Sequence, residues 1–134
     1  MKIFITYKFA GENPKELEMT LVKIADALKK EGHIVYSAFL DEELFAKNRF
    51  TLKQILNHAL KEIDSCDCIF IFARSNEKTE GMLLEIGYAL AKKKKIILAA
   101  KEGVSFQFTE EIADIVIEFK DIDDLLNKLK KLKV

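Results

Sequence analysis

The run Cys68-Ile69-Phe70-Ile71-Phe72 is apolar at every position, and it is the feature that most constrains the fold. A strand without polar alternation is typical of the centre of a parallel sheet, where helices cover both faces. Parallel neighbours must be joined by crossovers, which are usually helices. We therefore expect strands and helices to alternate along the chain.

The rest of the sequence shows this alternation. Further short strands are predicted at Ile3 to Thr6, His33 to Tyr36, Ile96 to Ala99 and Ile115 to Phe119. Helix start signals stand between them at Asn13 with Pro14 and Glu16, at Thr51 with Gln54, at Thr79 for a helix to about Lys92, and at Asp121. The pattern breaks between Ser37 and Phe50, which predicts either a loop with a helical turn or a mobile lid.

These elements predict an α/β fold. The 134 residues suit one domain spanning residues 1–134, with a five-stranded parallel sheet of order 2-1-3-4-5 in a flavodoxin-like or Rossmann-like three-layer sandwich. Ligands bind such sheets beyond the carboxyl ends of the strands. This rule selects three segments, Thr6 to Phe9, Ala38 to Phe45 and Ala73 to Gly81.

Charge and cysteine content exclude several classes of function. Lys plus Arg and Asp plus Glu both number 22, so no net charge attracts nucleic acid, and the chain is too polar for a membrane span. Cys66 and Cys68 are too close for an unstrained disulfide, and His33 and His58 have no zinc-type spacing to them. We therefore predict buried thiols in a cytoplasmic protein, with neither a metal ion nor a cofactor.

One acid, Glu85, lies at the edge of the apolar side of a predicted helix. The apolar arc comprises Met82, Leu83, Ile86, Ala89 and Leu90. Gly81 and Ala89, four residues to either side of Glu85, leave space around the carboxylate. A half-apolar setting raises a carboxyl pKa, and such acids are frequent at functional sites. The alternative is a surface Glu paired with Lys92, Lys93 or a neighbouring chain.

The residues around this acid resemble a known signature. Thr79-x-Gly81-x-x-x-Glu85-x-Gly87-x-Ala89 is similar to the Ser/Thr-x-Gly-x-x-x-Glu-x-Gly-x-Ala motif of the nucleoside 2-deoxyribosyltransferase family, which includes 2′-deoxynucleoside 5′-phosphate N-hydrolases. The resemblance implies that Glu85 attacks, or stabilises charge at, the sugar C1′. It also implies that Thr79 and Gly81 hold sugar or phosphate oxygens, and that the chain forms a homodimer or a higher homo-oligomer. By itself, Thr79 is equally interpreted as a helix N-cap.

The sequence departs from the family pattern on the side of the leaving base. Ala59 stands where the family has an Asp, eight residues before Asp67. Asp41, Glu42 or His58 is a candidate base-side acid in its place, unless these side chains simply face solvent.

Two further departures from the family pattern lie in the turn after the first strand and in the loop after the third strand. Tyr7 and Phe9 are candidates for stacking on a base, and Lys8 for binding a phosphate, although a solvated Lys and core aromatic residues are the alternative. Arg74 and Lys78 add positive charge to the later loop, and Arg74 is a candidate substrate-binding residue. A phosphorylated substrate is therefore compatible with the sequence.

Three functions remain open at this point. The first is cleavage of the N-glycosidic bond of a nucleoside or nucleoside 5′-monophosphate, by hydrolysis or deoxyribosyl transfer. The second is a non-catalytic nucleotide-binding module, because Ala59 removes an acid. The third is a Toll/interleukin-1-receptor-like NAD hydrolase, because Phe4-Ile5-Thr6-Tyr7 resembles the first-strand box of that family.

Overall fold

Five parallel strands form one sheet in the order β2-β1-β3-β4-β5, as predicted. The computed structural model describes all 134 residues. The strands are β1 (Lys2–Tyr7), β2 (Ile34–Ser37), β3 (Cys68–Ala73), β4 (Lys95–Lys101) and β5 (Ile115–Phe119). All six residues of β3 are buried, which confirms its central position.

Six α-helices surround the sheet. They are α1 (Pro14–Lys30), α2 (Glu42–Lys47), α3 (Leu52–Ser65), α4 (Glu80–Ala91), α5 (Gln107–Ile112) and α6 (Ile122–Leu129). One core cluster joins α1 and α6 to side chains such as Ile5 and Phe70, and a second joins α3 and α4 to Phe4 and Ile71. Successive strand residues point to opposite faces, so each strand supplies both clusters.

The predicted capping residues occupy their expected positions. The side chain of Asn13 accepts a hydrogen bond from the backbone of Glu16, and Pro14 is the first residue of α1. Thr51 and Gln54 form a reciprocal capping box at the start of α3. Gly32, with a φ of 90°, follows the end of α1 in the left-handed conformation that glycine tolerates. Local signals therefore determine where these helices begin and end.

Two regions carry more helix than the sequence predicts. Residues 38–50, here called the cover segment, contain a 3-10 turn (Ala38–Asp41) followed by α2. Helix α5 has no counterpart among the helices that the sequence predicts. Each of these α-helices has six residues, which is too short for a 3.6-residue apolar period to be recognised.

The two thiols are buried, as predicted. Cys66 and Cys68 are 2% and 1% exposed and are not joined by a disulfide. Burial raises the pKa of Cys66 to about 11 and that of Cys68 to about 12, so both thiols stay protonated at neutral pH. No three His, Cys, Asp or Glu side chains converge in an arrangement suited to a metal ion. None of the helices combines the length and apolar character needed to cross a bilayer.

Candidate active site

A cleft of about 360 Å³ opens at the carboxyl ends of β1 and β2. Its lining consists of Ile5, Tyr7, Phe9, Ala38, Glu42, Phe45, Ile55, Thr79, Gly81, Met82 and Glu85. Each of the three segments selected from the sequence contributes to this lining. The rule that ligands bind beyond the carboxyl ends of parallel strands therefore places the cleft correctly.

Glu85 reaches the cleft from α4 and is held by a strand residue. Thr6 Oγ1 donates a hydrogen bond of 2.7 Å to Glu85 Oε1. Thr6 is 1% exposed and shares the face of β1 that carries Phe4. No spacing or capping signal predicts this contact; the usable signal is a small hydroxyl side chain near the end of an apolar strand.

The environment of Glu85 raises the pKa of its carboxyl group to about 7, because burial disfavours the charged form. The hydrogen bond from Thr6 opposes this shift. No Lys or Arg forms an ion pair with Glu85, and Lys92 instead lies 3.9 Å from Asp64. The alternative of a surface Glu paired with Lys92 or Lys93 is therefore wrong.

The space predicted around Glu85 exists on one side only. A Cβ added to Gly81 would meet no atom within 4 Å, and Gly81 lines the cleft. Ala89, on the other side, is fully buried in the core. The free space beside the carboxylate therefore lies toward the N-terminal end of α4. Thr79 caps the helix there by accepting a hydrogen bond of 3.4 Å from the backbone of Met82.

Tyr7 lies between the acidic groups of the cleft. Burial raises the pKa of its hydroxyl group, and the charges of Glu42 and Glu85 raise it further. Tyr7 therefore stays neutral at physiological pH. Phe9 is half exposed and, with Phe45 of α2, adds apolar surface to the lining.

The three predicted base-side residues fall into two environments. Glu42 lines the cleft, and burial, followed by the charge of Glu18, raises the pKa of its carboxyl group. Asp41 and His58 do not line the cleft. Asp41 Oδ2 accepts a hydrogen bond of 2.7 Å from the Tyr36 hydroxyl and lies 2.9 Å from His58 Nε2.

The two basic side chains predicted to bind substrate, Lys8 and Arg74, lie outside the cleft lining. Lys8 Nζ is 2.7 Å from Glu77 Oε2. Arg74 forms ion pairs with Glu12 at 3.1 Å and with Glu16 at 2.6 Å. Each cation therefore has an acidic partner within the chain.

Ala59 of α3 belongs to the core cluster that α3 and α4 form with the sheet, and 5% of its surface is exposed. No carboxylate therefore stands at the position where the family has its Asp. Helix α3 contributes Ile55 to the cleft instead.

Comparisons with known proteins connect this geometry to a family. The sequence model described as nucleoside 2-deoxyribosyltransferase matches residues 9–124, and no protein of curated function matches the chain. One similar solved structure is a CMP N-glycosidase of Clostridium botulinum, with 20% identity, a TM-score of 0.74, and coverage of 98% of this chain and 100% of that one.

Two other solved structures share the fold. A 2-deoxyribosyltransferase of Bacillus psychrosaccharolyticus has 19% identity and a TM-score of 0.67, with coverage of 95% of this chain and 91% of that one. A conserved protein of Enterococcus faecalis V583 has 14% identity and a TM-score of 0.72, with 97% of both chains covered. The family match spans most of the sequence and agrees with the resemblance of the Thr79 to Ala89 motif, so this chain belongs to the nucleoside 2-deoxyribosyltransferase family.

Proposed function

We propose that this protein cleaves the N-glycosidic bond of a nucleoside or nucleoside 5′-monophosphate, with Glu85 as the carboxylate at C1′. The observation that carries the proposal is the setting of Glu85, which lies in a cleft, bound to Thr6 and without a neutralising cation. Family membership supports the reaction class, as do the names of two structural relatives, a CMP N-glycosidase and a 2-deoxyribosyltransferase.

The position of Glu85 suits the charge that develops in this reaction. As the bond between C1′ and the base nitrogen breaks, its electron pair leaves with the base and the sugar gains positive charge. An ionised carboxylate beside C1′ interacts more strongly with this cation than with the ground state. Thr6 occupies Oε1, so Oε2 is the oxygen available to the sugar. Attack on C1′ by water then gives hydrolysis, and attack by a second base gives transfer.

Glu42 is the proposed proton donor to the departing base. It is the one predicted base-side residue in the cleft lining, and its raised pKa favours the protonated form that a general acid needs. Tyr7, Phe9 and Phe45 supply aromatic surface for stacking on the base. Thr79 and Gly81 line the cleft at the start of α4 and are the proposed contacts to sugar oxygens.

The test is release of free base. The protein is incubated with 2′-deoxynucleosides, ribonucleosides, their 5′-monophosphates and NAD, with and without an acceptor base, and the products are separated by chromatography. We expect base release by the wild type and none by Glu85→Gln. Glu111→Gln, on the exposed surface of α5, is the matched control with unchanged activity. Circular dichroism checks that each variant is folded.

Other results of this assay identify the alternatives. Binding without product, unaffected by Glu85→Gln, supports a non-catalytic nucleotide-binding module, which the buried Ala59 favours. Release of nicotinamide alone supports an NAD hydrolase. Full activity of Glu85→Gln removes the carboxylate from the mechanism.

We also propose that the protein forms a homodimer or a higher homo-oligomer. Leu83, Leu84 and Leu90 on the outer side of α4 are 48%, 53% and 46% exposed, so this helix carries apolar side chains toward solvent as well as toward the core. Helices that are apolar all round are typically buried. Light scattering at micromolar concentration tests the proposal, and a monomer that retains full activity contradicts it.

A further inference from the structure

We infer that the cleft selects the unphosphorylated nucleoside over its 5′-monophosphate, and that Glu12, Glu16 and Glu77 set this preference. The inference rests on the proposed function and narrows its substrate class. It differs from the expectation from sequence that Lys8 binds a phosphate and that Arg74 adds charge for a phosphorylated substrate.

The cleft itself presents no positive charge. Its acidic lining residues are Glu42 and Glu85, and it contains no Lys, Arg or His side chain. A phosphate monoester carries close to two negative charges at neutral pH. A phosphate bound here therefore meets no cation that compensates its charge, and the ionised fraction of Glu42 and Glu85 repels it.

Arg74 is already bound by two carboxylates. Its Nη1 donates to Glu16 Oε1 at 2.8 Å, and its Nη2 donates to Glu16 Oε2 at 2.6 Å and to Glu12 Oε2 at 3.1 Å. The contact with Glu16 is the bidentate arrangement that makes an arginine–carboxylate pair strong. A phosphate would have to displace both acids to use this guanidinium group.

Lys8 is paired in the same region, and the balance of charge there is negative. Its Nζ lies 2.7 Å from Glu77, and only 17% of its side chain is exposed. Two cations thus face three carboxylates, a net charge of −1. The pocket that contains Lys8 and Arg74 has a volume of about 10 Å³, which is the room that one water molecule needs and is too little for a phosphate.

The remaining attractions for an anion are weak. Lys78 Nζ lies 4.1 Å from the centre of the Phe106 ring and donates a hydrogen bond to the Asn76 carbonyl, so it is engaged away from the cleft lining. The amino end of α4 attracts anions through its dipole, but Glu80 is the first residue of that helix and offsets this charge. The carboxylates therefore outnumber the cations around the whole site.

The experiment compares matched pairs, each a 2′-deoxynucleoside and its 5′-monophosphate, at low and high salt. We expect kcat/KM to be higher by about tenfold or more for the nucleoside, as repulsion over a few ångströms predicts. Salt screens charges at the cleft mouth, so the gap is expected to narrow as ionic strength rises.

Variants that free the cations give the second readout. In Glu77→Gln and in the double variant Glu12→Gln/Glu16→Gln, we expect the ratio of kcat/KM for the monophosphate to kcat/KM for the nucleoside to rise about tenfold. Glu111→Gln removes the same charge from the exposed surface of α5 and is the control in which the ratio does not change.

The outcomes separate this inference from the proposed function. Equal or better cleavage of the monophosphate overturns the inference and leaves the glycosidase function standing. If neither member of a pair is cleaved, the proposed function fails, and equilibrium dialysis of the same pairs then decides the preference. Tighter binding of the nucleoside supports the inference, and equal or tighter binding of the monophosphate overturns it.

Discussion

Thr6 and Glu85, which are 79 positions apart in the chain, are joined by a hydrogen bond of 2.7 Å from the Thr6 hydroxyl to a Glu85 carboxyl oxygen. The bond connects the carboxyl end of β1 to the first half of α4, the two elements that border the cleft. The bond favours the ionised form of the Glu85 carboxyl group. Without it, burial would keep this group protonated to a higher pH. This contact therefore controls both the orientation and the charge of the proposed catalytic group.

The first prediction concerns the pH dependence of the wild type. Glu85 acts as an anion in the proposed reaction and has a pKa of about 7. We expect kcat/KM to fall about tenfold for each pH unit below that pKa, because kcat/KM reports titration in the free enzyme. Initial rates of base release across the acid range measure this. A flat profile in that range would show that the ionisation of Glu85 does not limit the reaction.

The second prediction concerns Thr6→Val, which removes the hydroxyl group and keeps the shape of the side chain. Loss of the hydrogen bond should raise the pKa of Glu85 further, so the acid limb of the pH profile should move to higher pH. At neutral pH we expect a loss of about tenfold in kcat/KM, the usual size for a hydrogen bond to a charged group. Thr6→Ser retains the donor and should restore the profile. A profile unchanged in Thr6→Val would contradict the assigned role of Thr6.

The third prediction concerns stability. Burial raises the pKa of Glu85 from its ordinary value of 4.5 to about 7, so between these values the folded state binds more protons than the unfolded state. The free energy of unfolding should therefore fall as pH rises through this window. The free energy of unfolding of Glu85→Gln, measured relative to that of the wild type, should rise by about 3 kcal/mol from acid to mildly alkaline pH. Urea unfolding at both pH values measures this, and a difference that does not depend on pH would contradict it.

The fourth prediction concerns Glu42. If Glu42 protonates the departing base, Glu42→Gln should lower kcat by about a hundredfold, the lower range for general acid catalysis. Glu43→Gln is the matched control, because Glu43 is the next residue in the exposed first turn of α2 and does not line the cleft. Steady-state kinetics with several bases measure the effect. Equal losses in the two variants would point to general electrostatics rather than to proton transfer by Glu42.

The fifth prediction concerns the attachment of the cover segment. Asp41 ties this segment to Tyr36 of β2 and to His58 of α3, while the neighbouring Glu42 and Phe45 line the cleft. Asp41→Asn should raise KM about fivefold and change kcat little, because a loosened wall weakens binding more than chemistry. Hydrogen exchange over residues 38–50 should increase. A fall in kcat at constant KM would instead identify Asp41 as a base-side acid.

Much of the fold follows from local sequence signals. The uniform apolar character of β3 predicts a strand covered on both faces, and Asn13, Thr51 and Asp121 identify helix starts, because their side chains accept hydrogen bonds from the free backbone amides of a first turn. Helix α5 was missed because six residues carry too few apolar positions to show a period.

Residue spacing and parallel topology are enough to predict the order of strands and helices, the edge of the sheet at which a cleft forms, and the presence of one acid on an apolar helix. Three-dimensional packing, by contrast, brings Thr6 to Glu85 and pairs Arg74 and Lys8 with Glu12, Glu16 and Glu77. Hydrogen bonds and ion pairs between residues far apart in the chain depend on how helices and strands pack in three dimensions. No local period or capping signal encodes that packing.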